Sequence, residues 1–326
     1  MTIWLALPLP RQPGPILRQH WLAAERVARN DLDVSIVIVH HSLPWQTFSA
    51  CLDALDRCRA LLRCQVILVD HGLNPDFLHQ LMTRFAWIEV VIDRSDRGYA
   101  VSNNLGLRRA AGRYLLLLND DVVLPVGALR AMVDWMDAHP KAGYAGPRLV
   151  LPNGRLDRAC RRAFPTPLVS LYRLAGLASL FPGSRIFGRY NLTYLPVDQT
   201  ASVDAVVGAC MLVRRAAAVE VGLLDETYFM YGEDLDWALR LHQDGWQGWY
   251  LAFVVALHRK GSSSRRRRLR TTYEFYRAMM VFYRRHYAAT APWPVTWLVL
   301  TGILARGSLA LFRVFLTALL ARRTAR

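Results

Sequence analysis

Residues 115–124 read "LLLLNDDVVL". The four leucines, preceded by Tyr114, make an apolar run too short for a helix and suited to a strand covered on both faces. The run stops at Asn119, Asp120 and Asp121. Asn and Asp favour turns and helix N-caps, so a strand ending in a plain turn is one reading. Carboxylates set against a core are costly unless something binds them, so a ligand is the other.

The surrounding sequence decides between them. "VSIVIV" (34–39), "QVILV" (65–69) and "WIEVVI" (87–92) have the same buried-strand character, separated by helical stretches from Pro44 to about Leu62 and from Tyr99 to Ala111. Short apolar strands alternating with helices predict an α/β chain with a doubly wound, mainly parallel sheet. Ligands of such sheets lie beyond the carboxyl ends of the strands. Asp70 follows the second strand, and Asp120 with Asp121 the fourth, so three acids share the expected binding edge. Past Pro147, "LPNGRLDRACRRAFPTP" and "FPGSRIFGRYNLTYLP" read as a surface excursion. Val203–Val213 and "GWYLAFVVALH" return to strand character.

The 326 residues allow a sizeable core, and 53% hydrophobic residues exclude disorder. Five scattered cysteines without a CxxC pair argue against a disulfide framework or zinc cluster and suit a reducing compartment. The net charge is +16, but residues 259–326 hold 15 Lys and Arg against the single acid Glu274, which leaves +2 for the rest. A near-neutral body with a basic, apolar tail points to an anionic membrane surface at least as much as to nucleic acid. Residues 1–33 lack a basic n-region and their apolar run is broken by prolines, unlike a secretory signal.

Two further stretches carry chemistry. In "YFMYGEDLDWALRL", Glu233, Asp234 and Asp236 fall in the first turn of a helix, where the helix dipole favours negative charge. Asp236 and Arg240 are spaced to pair on one face, whereas Asp234 is placed to enter a cleft as a general base. In "ALHRKGSSS", His258 ends a strand beside a Gly/Ser loop and the run Arg265–Arg268, suiting a metal ligand next to a basic lid that meets phosphate.

Taken in order, "VSIVIV", "VILVD", "DRGYAVSNNLGLRRAAGRYLLLLNDD", "VVGACMLVRR", "GLLDETYFMYGEDLDWALRLHQDGW" and "LHRKGSS" resemble family 2 glycosyltransferases of the GT-A fold, in particular their bacterial rhamnosyltransferase-like branch. The resemblance spans about residues 34–285. It implies a Rossmann-like mixed, mainly parallel sheet flanked by helices, and an inverting enzyme dependent on Mg²⁺ or Mn²⁺. The sugar, with rhamnose a candidate, would pass from a nucleotide-diphosphate donor to a lipid-linked or polysaccharide acceptor in cell-envelope glycan synthesis. Asp234 would be the catalytic base, with Asp121 and His258 as metal ligands. Asp70, Gly98, Asn104, Asp120, Gly208 and Ala209 would contact the donor, with Asn119, Glu233, Asp236, Arg240 and Trp246 in support. The chain departs from the family at His40, His41, Ser42, His71 and Asp96, all in the implied nucleotide pocket.

The resulting division is an extension at 1–33, a GT-A domain at 34–270 and a basic, amphipathic helical membrane-associating region at 271–326. Val295–Ala321 is almost wholly apolar, but Gly302, Arg306, Arg313 and Thr317 share one strip at 100° per residue. Arginines near mid-span are costly in a bilayer, so the tail reads as one helix or two short ones in the interface, with the arginines snorkelling. A single tilted span is the alternative. The expected location is the cytoplasmic face of a bacterial inner membrane, peripheral or monotopic, with no nucleic-acid partner. A catalytically degenerate saccharide-binding homologue and a single-strand nucleic-acid binder using the arginine run are the competing readings.

Overall fold

The computed structural model describes residues 32–324 apart from 42, 72–74 and 261–267, with side chains described to residue 320. The expected extension at 1–33 lies almost wholly outside the described residues, as do Ser42 and most of the Arg265–Arg268 run.

Nine strands form one sheet: β1 Val34–His40, β2 Cys64–Asp70, β3 Ile88–Ile92, β4 Tyr114–Asn119, β5 Val122–Val123, β6 Ala142–Val150, β7 Ala201–Ser202, β8 Cys210–Arg214 and β9 Gln247–His258. Their order is β3-β2-β1-β4-β8-β6-β9-β5, with β7 on β9. The first four are mutually parallel as the alternation predicts, and β8 runs antiparallel to β4 and β6. The architecture is GT-A-like, a mixed and mainly parallel sheet with helices on its faces.

Leu115–Leu118 are almost fully buried at the centre, each contributing on the order of 1.5–3 kcal/mol by leaving water. Ser35 is fully buried among the apolar residues of β1. Its hydroxyl donates to Gln65 Oε1 at 2.7 Å and accepts from the Gly112 N–H at 2.8 Å, so the turn into β4 is tied to β1. The described cysteines are free.

Three expectations need correction. A strand was expected from Val203, but the ladder begins at Cys210. Residues 203–209 are held instead by the Arg162–Ala205 bridge and by the Gly208 N–H bond to Asp234. The segment from Leu151 is a surface excursion only in part: Leu180, Phe181 and Ile186 in it are exposed, but Asp157, Arg161 and Arg162 are buried. The third concerns β6, unanticipated because Gly143, Gly146 and Pro147 interrupt its pattern. Pro147 falls where the β6–β9 register shifts, a place where a missing N–H is tolerated.

The tail is one continuous helix, Trp293–Thr324, neither split nor isolated. It packs on the helices Arg268–His286 and Pro167–Leu174. Gly302 approaches Leu174 closely enough that an added Cβ would lie 3.1 Å from its Cδ1. Arg306, one turn on, donates from Nη1 to the Leu174 carbonyl. The first half of the polar strip therefore meets protein, with Arg306 satisfying a helix C-terminus instead of reaching out to headgroups, whereas Arg313 and Thr317 further along are exposed. The outer side bears exposed Trp293, Trp297, Phe312 and Phe315. Trp293–Leu320 is long and apolar enough to cross a membrane by length and composition alone, with a mean hydropathy of 1.8.

Candidate active site

A cavity of about 890 Å³ opens at the carboxyl ends of the central strands, lined by Asp120, Asp121, Gly208, Glu233, Asp234 and His258 among others. Gly98, Asn119 and Ala209 also line it. Most of the residues implied by the resemblance thus meet in one place.

Asp234 lies in the first turn of the helix Glu233–Gln243, entered through Tyr231 at φ +68° and Gly232 at φ +85°. Two successive left-handed residues aim the helix N-terminus into the cleft, and such backbone persists only where its surroundings enforce it. Asp234 Oδ2 accepts from Arg162 Nη2 at 2.7 Å and from the Gly208 N–H at 2.9 Å. Oδ1 accepts from the Leu235 N–H at 2.7 Å. Burial and the adjacent Asp234 push the Glu233 carboxyl up to about 8.

Asp121 and His258 form a second cluster. The short strand β5 pairs antiparallel with β9, Val122 opposite His258, and the Arg259 N–H donates to the Asp121 carbonyl at 2.9 Å. His258 Nε2 then lies 3.4 Å from Asp121 Oδ1, a buried oxygen that accepts no well-aligned hydrogen bond. On the other side of the ring, Nδ1 is 2.9 Å from Asp157 Oδ2, and Lys260 Nζ is 3.0 Å from Asp157 Oδ1. Burial opposes the imidazolium, yet the acids at its two nitrogens outweigh it and raise His258 to about 9.

This set fits a divalent cation. An orphaned carboxylate oxygen faces an imidazole nitrogen whose ring partner is anchored by a carboxylate, the arrangement that fixes a ligating histidine. Among the described residues no third His, Cys, Asp or Glu joins them. Diphosphate oxygens and water would have to complete the shell, as is usual for Mg²⁺.

The described departures from the family have structural roles. His40 stacks on Phe48, ring centroids 4.4 Å apart, and holds Asp120 Oδ2 from Nδ1 at 2.9 Å. Burial raises the Asp120 carboxyl, and His40 works against that. His71 Nε2 is 2.9 Å from Ser102 Oγ, and the His41 ring stands edge-on to it. Asp96, at φ +39°, pairs with Arg270 at 3.3 Å. Asn119 Oδ1 accepts from the Tyr99 hydroxyl at 2.8 Å.

Other expected residues sit elsewhere. Asp70 is buried at the end of β2, opposite His40 in register. Asn104 was expected at the donor, but its amide is committed to both backbone groups of Leu224 and to Glu226, which fastens its helix to the loop before the Glu233 helix. Trp246 packs against Gly143 and bonds Glu220. Asp236 pairs with Arg240 at 2.7 Å, as the spacing predicts, and with His286 at 2.7 Å, which ties the helix Arg268–His286 to the helix Glu233–Gln243. Sequence reasoning missed Asp157 and Arg162. The only hint was "ACRRAF", paired arginines enclosed by small and apolar residues.

A Rossmann-like sheet whose acidic edge is backed by an imidazole and a helix-borne carboxylate fits the GT-A glycosyltransferases. The profile of the family described as "Glycosyl transferase family 2" matches residues 35–221, and the chain belongs to that family as a rhamnosyltransferase-like glycosyltransferase. An N-acetylglucosaminyl-diphospho-decaprenol L-rhamnosyltransferase of Mycobacterium tuberculosis is 27% identical over 260 residues, covering 76% of this chain and 81% of that protein. Rhamnosyltransferase WbbL of Escherichia coli is 28% identical, covering 59% and 72%. Among solved structures, GalNAc-T7 with UDP, GalNAc and Mn²⁺ superposes with a TM-score of 0.55 at 15% identity, over 86% of this chain and 61% of that one. S. aureus TarS 1-349 with UDP gives 0.52 at 14%, over 84% and 71%. Both carry the same fold.

Proposed function

We propose that the chain transfers a hexose, rhamnose in the first instance, from a nucleotide-diphosphate donor to a lipid-linked N-acetylglucosaminyl diphosphate, with inversion at the anomeric carbon. The observation that carries this reading is Asp234, a buried carboxylate held by three donors and opening on the same cavity as Asp121 and His258. The mycobacterial and E. coli relatives support the sugar, and the former the acceptor.

Asp234 accepts the proton of the attacking acceptor hydroxyl, and Arg162 with the Gly208 N–H holds its carboxylate in place. A single base facing the acceptor gives direct displacement. Asp121 and His258 would hold Mg²⁺ or Mn²⁺, which supplies charge neutralisation for the departing diphosphate. Asp157 keeps the His258 Nε2 turned toward Asp121. Asp120, oriented by His40, and the backbone of Gly98, Gly208 and Ala209 shape the donor side.

The proposed organisation is a catalytic domain at 34–270 and a membrane-associating region at 271–326, working at the cytoplasmic face of the inner membrane. The test is purified full-length protein with a panel of nucleotide sugars and Mn²⁺ or Mg²⁺. Rhamnose transfer that EDTA abolishes is expected. No turnover of any donor, with Asp121→Ala and Asp234→Ala indistinguishable from wild type, would end the enzymatic reading.

A further inference from the structure

The cavity has two ends of opposite character. One holds the acids and His258. The other extends between the helices Pro167–Leu174, Arg268–His286 and Trp293–Thr324, where Val169, Phe275, Met279, Ile303, Ala310 and Val314 line it. Polar groups such as Ser170 and Glu274 interrupt these walls only in places, so most sugar hydroxyls buried there would forfeit their hydrogen bonds to water, and this arm is a poor saccharide site. A hydrocarbon chain loses nothing there and gains by leaving water.

We propose that the apolar arm binds the hydrocarbon chain of the acceptor lipid and so threads its diphosphate head toward Asp234. This rests on the lipid-linked reading of the acceptor and adds the place where the lipid is held. Two observations select this occupant over a protein segment. The arm is continuous with the catalytic cleft, so whatever fills it is joined to whatever reacts. Arg173 lines the same cavity and supplies a cation suited to a diphosphate, with Lys260 and Arg270, held by Asp157 and Asp96, beside it. The third helix of the arm also presents Trp293, Trp297, Phe312 and Phe315 on its exposed side, which gives a chain leaving a bilayer an apolar route inward.

The probes are two acceptors with the same N-acetylglucosaminyl diphosphate head, one on a polyisoprenyl chain and one on a short alkyl chain, assayed in detergent. Wild type is expected to show a KM for the long-chain acceptor lower by at least about tenfold, the worth of burying about two methylene groups. Ala310→Trp and Val314→Trp, each filling the arm, should erase that advantage while kcat/KM for the short-chain acceptor and donor hydrolysis stay within about twofold. Equal KM values for the two acceptors in wild type overturn the inference and leave the glycosyltransferase reading standing, as does an equal loss on both acceptors in the filled variants. Donor hydrolysis without transfer to either acceptor removes the lipid-linked reading and the inference together.

Discussion

Arg162 Nη2 lies 2.7 Å from Asp234 Oδ2, with both side chains buried, so the candidate base is held by a cation from a loop far away in sequence. Breaking one side of such a pair typically costs about 3–5 kcal/mol, because the remaining charge stays buried. Asp234→Asn should lower kcat by about 10²–10⁴ with little change in donor binding. Arg162→Gln should lower both stability and kcat, and Arg162→Lys should recover part of each. Thermal melts and steady-state kinetics on the three variants check this, and wild-type kcat in Arg162→Gln would remove Arg162 from the mechanism.

Asp157 touches no reacting group in this scheme but fixes the His258 ring. Asp157→Asn is expected to weaken Mn²⁺ binding by about 10–100-fold, the usual effect of losing a partner behind a metal ligand. Asp121→Ala should abolish it. Calorimetric titration with Mn²⁺ alone reads both, without an assay of turnover.

Glu233 gives a pH signature. Its folded carboxyl is raised to about 8 from an ordinary 4.5. Between those values the folded state binds more protons than the unfolded one, so stability falls as pH rises and the full penalty is present above the folded value. Glu233→Gln removes the titration. It should match wild type near pH 4.5 and melt higher than wild type at pH 8.5. A variant with an unchanged difference across that range would contradict the assignment.

Gly98 sits at φ +108°, and a Cβ there would lie 2.4 Å from the Phe229 carbonyl oxygen. Gly98→Ala must therefore strain or displace backbone at the donor side of the cleft. A stability loss of at least about 1–3 kcal/mol is expected, together with a raised KM for the donor. Denaturant midpoints and donor kinetics measure the two effects.

Trp293 and Trp297 are 80% and 65% exposed on the tail helix. Aromatic rings of this kind settle at the level of lipid headgroups. Changing both to Ala should reduce cosedimentation with anionic vesicles and leave donor hydrolysis in detergent intact. Unchanged vesicle binding would move the contact elsewhere on the chain.

What the sequence discloses follows from which interactions are local. The β4 leucines and the acids after them are legible because burial on both faces and an abrupt polar stop leave a one-dimensional trace. Asp234 is legible because helix-start chemistry is confined to one turn. Arg162 and Asp157 are not, since their partners, Asp234 and His258, are remote in sequence and their own segment has no period of 2 or 3.6. Strand direction is equally silent. Cys210–Arg214 is buried in either orientation, and only its ladder with β4 shows it to be antiparallel.

The two-residue strand β5 has a last consequence. Because Val122 pairs with His258 and the Asp121 carbonyl takes the Arg259 N–H, the spacing of the two candidate ion-holding side chains is set by main-chain pairing. Side-chain parity along β9 alternates with every residue. Inserting one residue in β9 between Val255, where its pairing with β6 resumes after the register shift, and His258 would turn the imidazole to the opposite face of the sheet while leaving composition and hydrophobicity almost unchanged. Inserting two would restore the facing. In this strand, residue count itself decides whether His258 faces Asp121.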